Sequence, residues 1–370
     1  MSPTKEDEIK AIEDEIFKTQ KNKNTEHHIG KLKAKMARLK EEMEKQKSGG
    51  GGKGKGFSVK KSGDATVGIV GFPSVGKSTL LNQFTDADSK VGDYDFTTLE
   101  TIPGMMKYKS AYIQLLDLPG MITGAAQGRG RGREILSAVR SVDLLLLMID
   151  PKQRNQLEII EKELFTAGLR VNKRPPNVFV KKTNNGGLLV HTTLKLTKID
   201  DALIKTIASE FVINADITIR EDLTEDQLID VFTQNRIYVP AIIILNKTDL
   251  FDQTYLNQAV NSLKKQGWMV LAISAKNKKG LDELKEAVYK GLKFIRIYLK
   301  PMGKDPDYKE PMILREGAKV ETICVRLHRT FKEKFRYAQI WGSSAKHAGQ
   351  RVGLDHLLKD QDVVTIVLKK

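Results

Sequence analysis

Cysteine is almost missing from this chain of 370 residues, which holds one, Cys324. A single thiol excludes an internal disulfide, and its place in an apolar-patterned stretch predicts a buried side chain in a protein of the reducing cytoplasm. Long apolar runs are missing too. The longest, residues 144–149, is far short of the roughly 20 residues that a membrane-crossing helix needs, so no membrane is expected. The first residues are too charged for a secretory signal. The six histidines are scattered, and even His27-His28 lacks a second ligand pair, which argues against zinc.

Acidic residues are in deficit, with 62 Lys and Arg against 46 Asp and Glu, a net charge of +16. The excess sits at the ends. Residues 1–61 carry 16 basic and 10 acidic side chains and residues 291–370 carry 17 and 9, so the centre is left with about +2. Basic flanks on a near-neutral centre point to ends that dock on a polyanion, with RNA the natural candidate.

The strongest positive signal lies in that centre. Residues 71–79 read Gly71-Phe72-Pro73-Ser74-Val75-Gly76-Lys77-Ser78-Thr79, after an apolar run at 66–70 and before Leu80-Leu81. A strand, a glycine-bounded loop and a helix start in that order form a phosphate-binding loop. The glycines let successive N–H groups turn inward, and the helix adds its positive end. Lys77 would reach the β- and γ-phosphates, and the Ser78 hydroxyl would hold magnesium.

Three companions follow. A strand-like run at 110–116 ends in Asp117-Leu118-Pro119-Gly120, where the carboxylate could hold magnesium through water and the Gly120 N–H could meet the γ-phosphate. The apolar strand 241–245 ends in Asn246-Lys247-Thr248-Asp249. The Asp249 carboxylate can accept from the N1–H and exocyclic amine of guanine, a donor pair adenine lacks, so GTP is selected over ATP. Ser274-Ala275-Lys276 follows the strand-like run 269–273 and would close the base pocket with the Ala275 N–H. Each string sits at the carboxyl end of a predicted strand, the edge at which open α/β sheets bind ligands.

With Tyr94-Asp95-Phe96-Thr97-Thr98-Leu99 added to these strings, the chain resembles the developmentally regulated GTP-binding protein branch of the Obg superfamily of translation-factor-class GTPases, over nearly its whole length. The resemblance implies that Thr98 is the switch I magnesium ligand; spacing alone leaves Thr97 and Thr98 open. It also implies a cytoplasmic heterodimer with a regulatory protein.

The expected architecture is an α/β P-loop GTPase sheet with helices on both faces and three appended modules. Residues 1–47 read as a helical hairpin, opened by a Thr4-x-x-Asp7 capping box and carrying Ile9, Ile12 and Ile16 opposite Ile29, Leu32, Met36, Leu39 and Met43. Residues 48–62 are a Gly/Lys-rich tether that leaves the hairpin free to find its own surface. The GTPase domain takes residues 63–170 and 238–291. Residues 171–237 form an inserted α+β module, with strands at 177–181 and 187–197 joined through the hairpin turn Asn184-Asn185-Gly186-Gly187. The resemblance makes this insert ribosomal-protein-like. Residues 292–370 resemble the TGS domain, a β-grasp module that binds RNA or protein; here Arg326, Arg329, Lys332, Lys334 and Arg336 are interleaved with Phe331, Phe335 and Tyr337.

Catalysis turns on a missing side chain. In Ras-like GTPases a Gln after the magnesium-linked turn orients the attacking water, and here that position is Met121. Slow hydrolysis of GTP to GDP is expected, resting on Lys77, Thr98, the Gly120 N–H and magnesium, with help from potassium or a bound partner. Some relatives hold potassium through an Asn in the loop, and here that residue is Ser74. The run Gln127-Gly128-Arg129-Gly130-Arg131-Gly132-Arg133 reads as switch II, its arginines serving catalysis or ribosomal RNA contact. The leading expectation is a ribosome-associated GTPase switch; the alternative is an RNA- or ribosome-binding scaffold in which GTP is mainly structural.

Overall fold

The computed structural model describes residues 4–20, 22, 25–48, 63–85, 103–118, 141–153, 155–233 and 235–369. The expectations for the tether beyond Ser48, for Thr98, for Pro119, Gly120 and Met121, and for the run from Gln127 to Arg133 lie outside the described residues. The chain divides into two compact units, residues 1–56 with 168–238 and residues 57–167 with 239–370.

Apolar strands dictate the centre of the second unit. Ala65–Gly71, Leu144–Ile149 and Ala241–Leu245 are buried along their whole length, and strands with no polar face require cover on both sides. They lie in the middle of a six-stranded sheet ordered Val270–Ala272, Ala241–Leu245, Leu144–Ile149, Ala65–Gly71, Ala111–Asp117, Pro103–Tyr108. Neighbours run parallel except the last pair. Leu80, Leu81 and Phe84 from helix Lys77–Phe84 and Leu284 and Val288 from helix Leu281–Gly291 share one core with Ile69, Leu146 and Ile244.

The same unit carries a five-stranded sheet ordered Met312–Arg315, Phe294–Leu299, Val363–Leu368, Phe335–Trp341, Gln350–Val352. It wraps helix Val320–Leu327, whose Val320, Ile323 and Cys324 pack with Ile297, Ala338 and Ile340. Cys324 is fully buried, as its apolar surroundings predict. Of the aromatic residues expected to grip RNA here, Phe331 and Phe335 are partly buried against that core. Tyr337 instead has the Arg351 guanidinium 4.6 Å from its ring centre. Two carboxylates fasten this module to the larger sheet. Asp64 accepts from the Tyr112 N–H at 2.9 Å and meets Arg326; Asp143 accepts from the Thr66 N–H at 2.9 Å and meets Arg315 at 2.6 Å.

In the first unit, helix Lys5–Lys18 begins at the Thr4–Asp7 capping box and packs on helix Glu26–Ser48, with Ile9, Ile12 and Ile16 against Leu32, Met36 and Leu39. The hairpin is not left to find its own surface, and that expectation is corrected. A second side of Glu26–Ser48 is small: a Cβ on Gly30 would stand 2.7 Å from Leu203 Cδ1, and Ala34 and Ala37 enter the core of the inserted module beside Leu203, Ile207 and Leu228. Lys33 reaches Glu225 and Asp226, and Arg38 reaches Glu210 at 3.1 Å. Close approach of small residues and a shared apolar core hold the helix there.

The insert's hairpin is corrected as well. Val178–Lys182 and Leu188–Thr192 do not pair; Ala215–Ile219 lies between them, antiparallel to the first and parallel to the second. Ala215, Ile217 and Ile219 are wholly buried, sharing a core with helices Asp201–Ser209 and Glu225–Phe232. The strand with the most apolar inner face takes the centre. Gly186 and Gly187, at φ 99° and 71°, redirect the chain rather than close a hairpin.

Candidate functional site: the carboxyl edge of the six-stranded sheet

The phosphate side of the site is made by the loop after Ala65–Gly71. A Cβ on Gly71 would lie 2.4 Å from the Met148 carbonyl oxygen, so only glycine lets the chain leave the strand there. Ser74 at φ 63° and Gly76 at φ 100° bend the loop back, and Gly76 caps helix Lys77–Phe84. The first N–H groups of that helix have no partner within it and lie at its positive end, the arrangement that attracts an anion. Lys77 Nζ donates to the carbonyls of Gly71 and Phe72 at 3.0 and 3.3 Å, which stations the ammonium over the loop.

Asp117 ends the neighbouring parallel strand, and the Leu118 N–H continues the pairing by donating to Ile69 O at 3.0 Å. The Asp117 Oδ1 atom is buried with no hydrogen-bond partner among the described residues. Burial pushes the carboxyl above its ordinary value, against the lowering effect of the nearby Lys77 charge. A buried lone oxygen is costly unless a polar group meets it. A hydrated magnesium ion supplies such a group, so Asp117 fits one held through water, with Ser78 beside it in the helix start.

The base side is built from the next two strand ends. Lys247 sits at φ 62° and starts the turn Thr248–Leu250, which leaves Asp249 exposed to a ligand. Ser274 donates to Asp249 Oδ1 at 2.5 Å, and this bond lowers the carboxyl's pKa and keeps it an acceptor. Asn246, 3% exposed, joins both sides: its Nδ2 donates to Val75 O at 2.8 Å and its Oδ1 accepts from the Ala275 N–H at 3.0 Å. The Ala275 N–H expected to meet the base is thus held by Asn246, a correction that follows from Asn246 being buried and needing both partners. Lys276 is exposed beside it.

One participant is not among the expected site residues. Asp150 Oδ2 lies 3.4 Å from Lys247 Nζ and steadies the lysine of the base-reading turn. The available signal is its position directly after the apolar strand Leu144–Ile149, the same placement that marks Asp117. Among the described residues the structure brings together residues 71–79, Asp117, Leu118, residues 246–249 and residues 274–276 at one edge of the sheet.

A glycine-bounded anion loop, a magnesium-fitting aspartate and an exposed acceptor aspartate suited to guanine, along one parallel edge, are the arrangement of a P-loop GTPase. Comparison with known proteins agrees. Residues 66–182 match the family model described as a 50S ribosome-binding GTPase, residues 185–294 the C-terminal region of the MMR_HSR1 domain, and residues 295–368 the TGS domain. The chain is 53% identical over 366 residues to an uncharacterized GTP-binding protein of Methanocaldococcus jannaschii, covering 99% of this chain and 93% of that one. It is 43% identical over 365 residues to developmentally-regulated GTP-binding protein 2 of Homo sapiens, covering 98% and 99%. The solved YchF GTPase of Schizosaccharomyces pombe is similar at 16% identity and TM-score 0.47, covering 83% of this chain and 99% of that one.

The chain belongs to the family of GTP-binding proteins that its 53% and 43% identical relatives form, GTPases with a C-terminal TGS domain. The narrower assignment to the developmentally regulated branch is corrected to that level, because the similar proteins carry mixed names: plain GTP-binding protein, guanylate binding protein and developmentally-regulated protein. Among the described residues no helix is long and apolar enough to cross a membrane.

Proposed function

We propose that this GTPase acts as a ribosome-associated switch in cytoplasmic translation and that it turns over slowly on its own. The observation that carries the reading is the placement of charge: a nucleotide-binding centre with a net charge of about +2 lies between flanks of +6 and +8. Flanks of that sign are attracted to ribosomal RNA phosphates. The description of the matched model as a 50S ribosome-binding GTPase supports the same partner.

In the proposed mechanism Lys77 exchanges the loop carbonyls for the β- and γ-phosphates, while the loop and helix N–H groups cradle the same oxygens. Asp249 reads the guanine edge, and Asn246 keeps the two halves of the site at a fixed separation. Ser78, Thr98 and Asp117 would hold magnesium, which when bound draws charge off the transferring phosphoryl group. Met121 supplies no polar atom to orient water, so turnover is expected on the order of the 10⁻⁴ per second of unassisted Ras. A monovalent cation such as potassium, or a protein partner, raises it.

Ribosome co-sedimentation with GTP, GDP and no nucleotide, at several salt concentrations, tests the reading. Binding that depends on nucleotide and falls steeply with salt is expected. Equal binding in all three states, or fast turnover in sodium buffer without a partner, would overturn it.

A further inference from the structure

The inserted module has a sheet with one covered face and one open face. Val178, Val180, Leu188 and Val190 pack inward with Ile217 and Ile219. The alternate residues line up outward in register. Phe179 and His191 flank Thr218, one row along, Lys181 and Leu189 flank Asp216, and the Arg220 N–H donates to Asn177 O just beyond. Phe179 is 62% exposed and Leu189 50%, values far outside what an ordinary sheet side chain needs.

The charge around this face is one-sided. From 172 to 199 the chain contains six Lys and Arg, together with His191, and no Asp or Glu. Arg174 and Lys198 are paired, with Glu221 and Asp222. Lys181, Lys182, Lys195 and Arg220 are exposed and have no ion pair among the described residues. The module's carboxylates instead concentrate on its helices, where Asp200 caps Asp201–Ser209 and Glu225 and Asp226, in the first turn of Glu225–Phe232, hold Lys33. Asp216 is the one acid in the outward rows.

We propose that this open face binds single-stranded RNA. An exposed aromatic ring and an imidazole, on the two outer strands with Thr218 between them, give bases surfaces to stack on, and lysine and arginine without ion pairs on the two sides of that row hold the phosphates. Thr218 and Asn177 add short polar groups that can hydrogen-bond base edges or the 2′-hydroxyl. A protein partner would gain from the apolar pair Phe179 and Leu189 but not from an acid-free stretch of 28 residues, and this asymmetry favours RNA. The face is neither a chain end nor the nucleotide edge, so the proposal goes beyond the switch reading and stands without it.

The test uses the full chain, a fluorescein-labelled 12-nucleotide oligouridine, and the same oligonucleotide carrying 4-thiouridine for crosslinking. Crosslinks are expected within residues 177–193. Phe179→Ala with His191→Ala should weaken binding roughly tenfold, the loss of about one stacked base. Lys181→Glu with Arg220→Glu, a second variant that removes no apolar surface, should weaken it and reduce the salt slope by about 1 per lost phosphate contact. GTP turnover and melting midpoint should stay at the parent values in both. Crosslinks confined to residues 1–61 and 291–370 with unchanged affinity would overturn the proposal, as would equal affinity for a duplex of the same length. A self-association abolished by Phe179→Ala would assign the face to a second copy and overturn it too. Loss of nucleotide-dependent ribosome binding with these crosslinks intact would sink the switch reading and leave this one standing.

Discussion

Asn246 Nδ2 donates to the carbonyl of Val75 at 2.8 Å, so the first residue of the Asn246–Asp249 string is bonded directly to the glycine-bounded loop. The bond is buried, and the same side chain also holds the Ala275 N–H. Asn246→Ala therefore leaves a buried carbonyl and a buried N–H without partners. A loss of about 2–3 kcal/mol in stability is expected, with at least a tenfold rise in the Kd for GDP, measured by urea denaturation and by titration with a fluorescent GDP analogue. Unchanged affinity would show that the two loops hold their places independently.

Asp117 illustrates a site residue that weakens the free protein. Its folded carboxyl has a raised pKa, chiefly from burial, so folding takes up a proton. The contribution is favourable below the ordinary value of 3.8 and is lost as pH rises through the raised one. Asp117→Asn should therefore stabilise the nucleotide-free protein at neutral pH by about 1 kcal/mol and flatten its stability between that window and pH 7. The same variant should lose most of the magnesium dependence of nucleotide binding. Thermal melts from pH 4 to 8 and magnesium titrations read both effects.

At Asp249, replacement by Asn exchanges one acceptor oxygen for a donor. GTP affinity should fall roughly a hundredfold, in line with loss of two hydrogen bonds to a charged acceptor, and xanthosine triphosphate should become the preferred ligand. Competition binding with the two triphosphates decides it; an unchanged preference for GTP would remove Asp249 from base recognition.

The C-terminal module hangs on two similar anchors, each a nearly buried carboxylate paired with a half-exposed arginine. Asp143 is 7% exposed and serves both Thr66 N–H and Arg315, so Asp143→Ala should cost about 3 kcal/mol. Arg326 is 44% exposed but its partner Asp64 only 8%, so Arg326→Ala leaves that carboxylate with the Tyr112 N–H alone and should cost about 1–3 kcal/mol. Chemical denaturation of the two variants gives the ratio.

Gly30 lets helix Glu26–Ser48 approach Leu203, and Gly30→Leu places atoms where none fit. Destabilisation of the first unit by about 1–3 kcal/mol is expected, read as faster tryptic cleavage within residues 5–48. GTP binding in the other unit should be unaffected.

The site was legible to the extent that its chemistry is local. Gly71, Gly76, Lys77 and Ser78 act through the backbone path and helix start that they themselves create, and Asp249 through a donor pattern fixed by the base. The Ala275 N–H and Asp150 were not read correctly or at all, because each depends on what a distant strand end places beside it. In the fold, the same division separates Ile9, Ile12 and Ile16, whose spacing predicts the hairpin, from Gly30, Ala34 and Ala37, whose smallness gives no sign of a third helix layer. Likewise Asn184-Asn185-Gly186-Gly187 has the composition of a hairpin turn, but its flanking strands lost to Ala215–Ile219 for each other's edges.

By itself the sequence determined that this protein is a guanine-nucleotide machine with basic flanks, since phosphate cradling, base choice and charge are properties of short strings and of composition. Tertiary structure alone decided that Asn246 ties loop to base turn, that Asp64 and Asp143 anchor the TGS module, and that the N-terminal hairpin is built into the insert's core. Those outcomes rest on burial and on hydrogen-bond partners tens to hundreds of residues away. Burial at such distances depends on how surfaces compete for one another, and no local pattern records that competition.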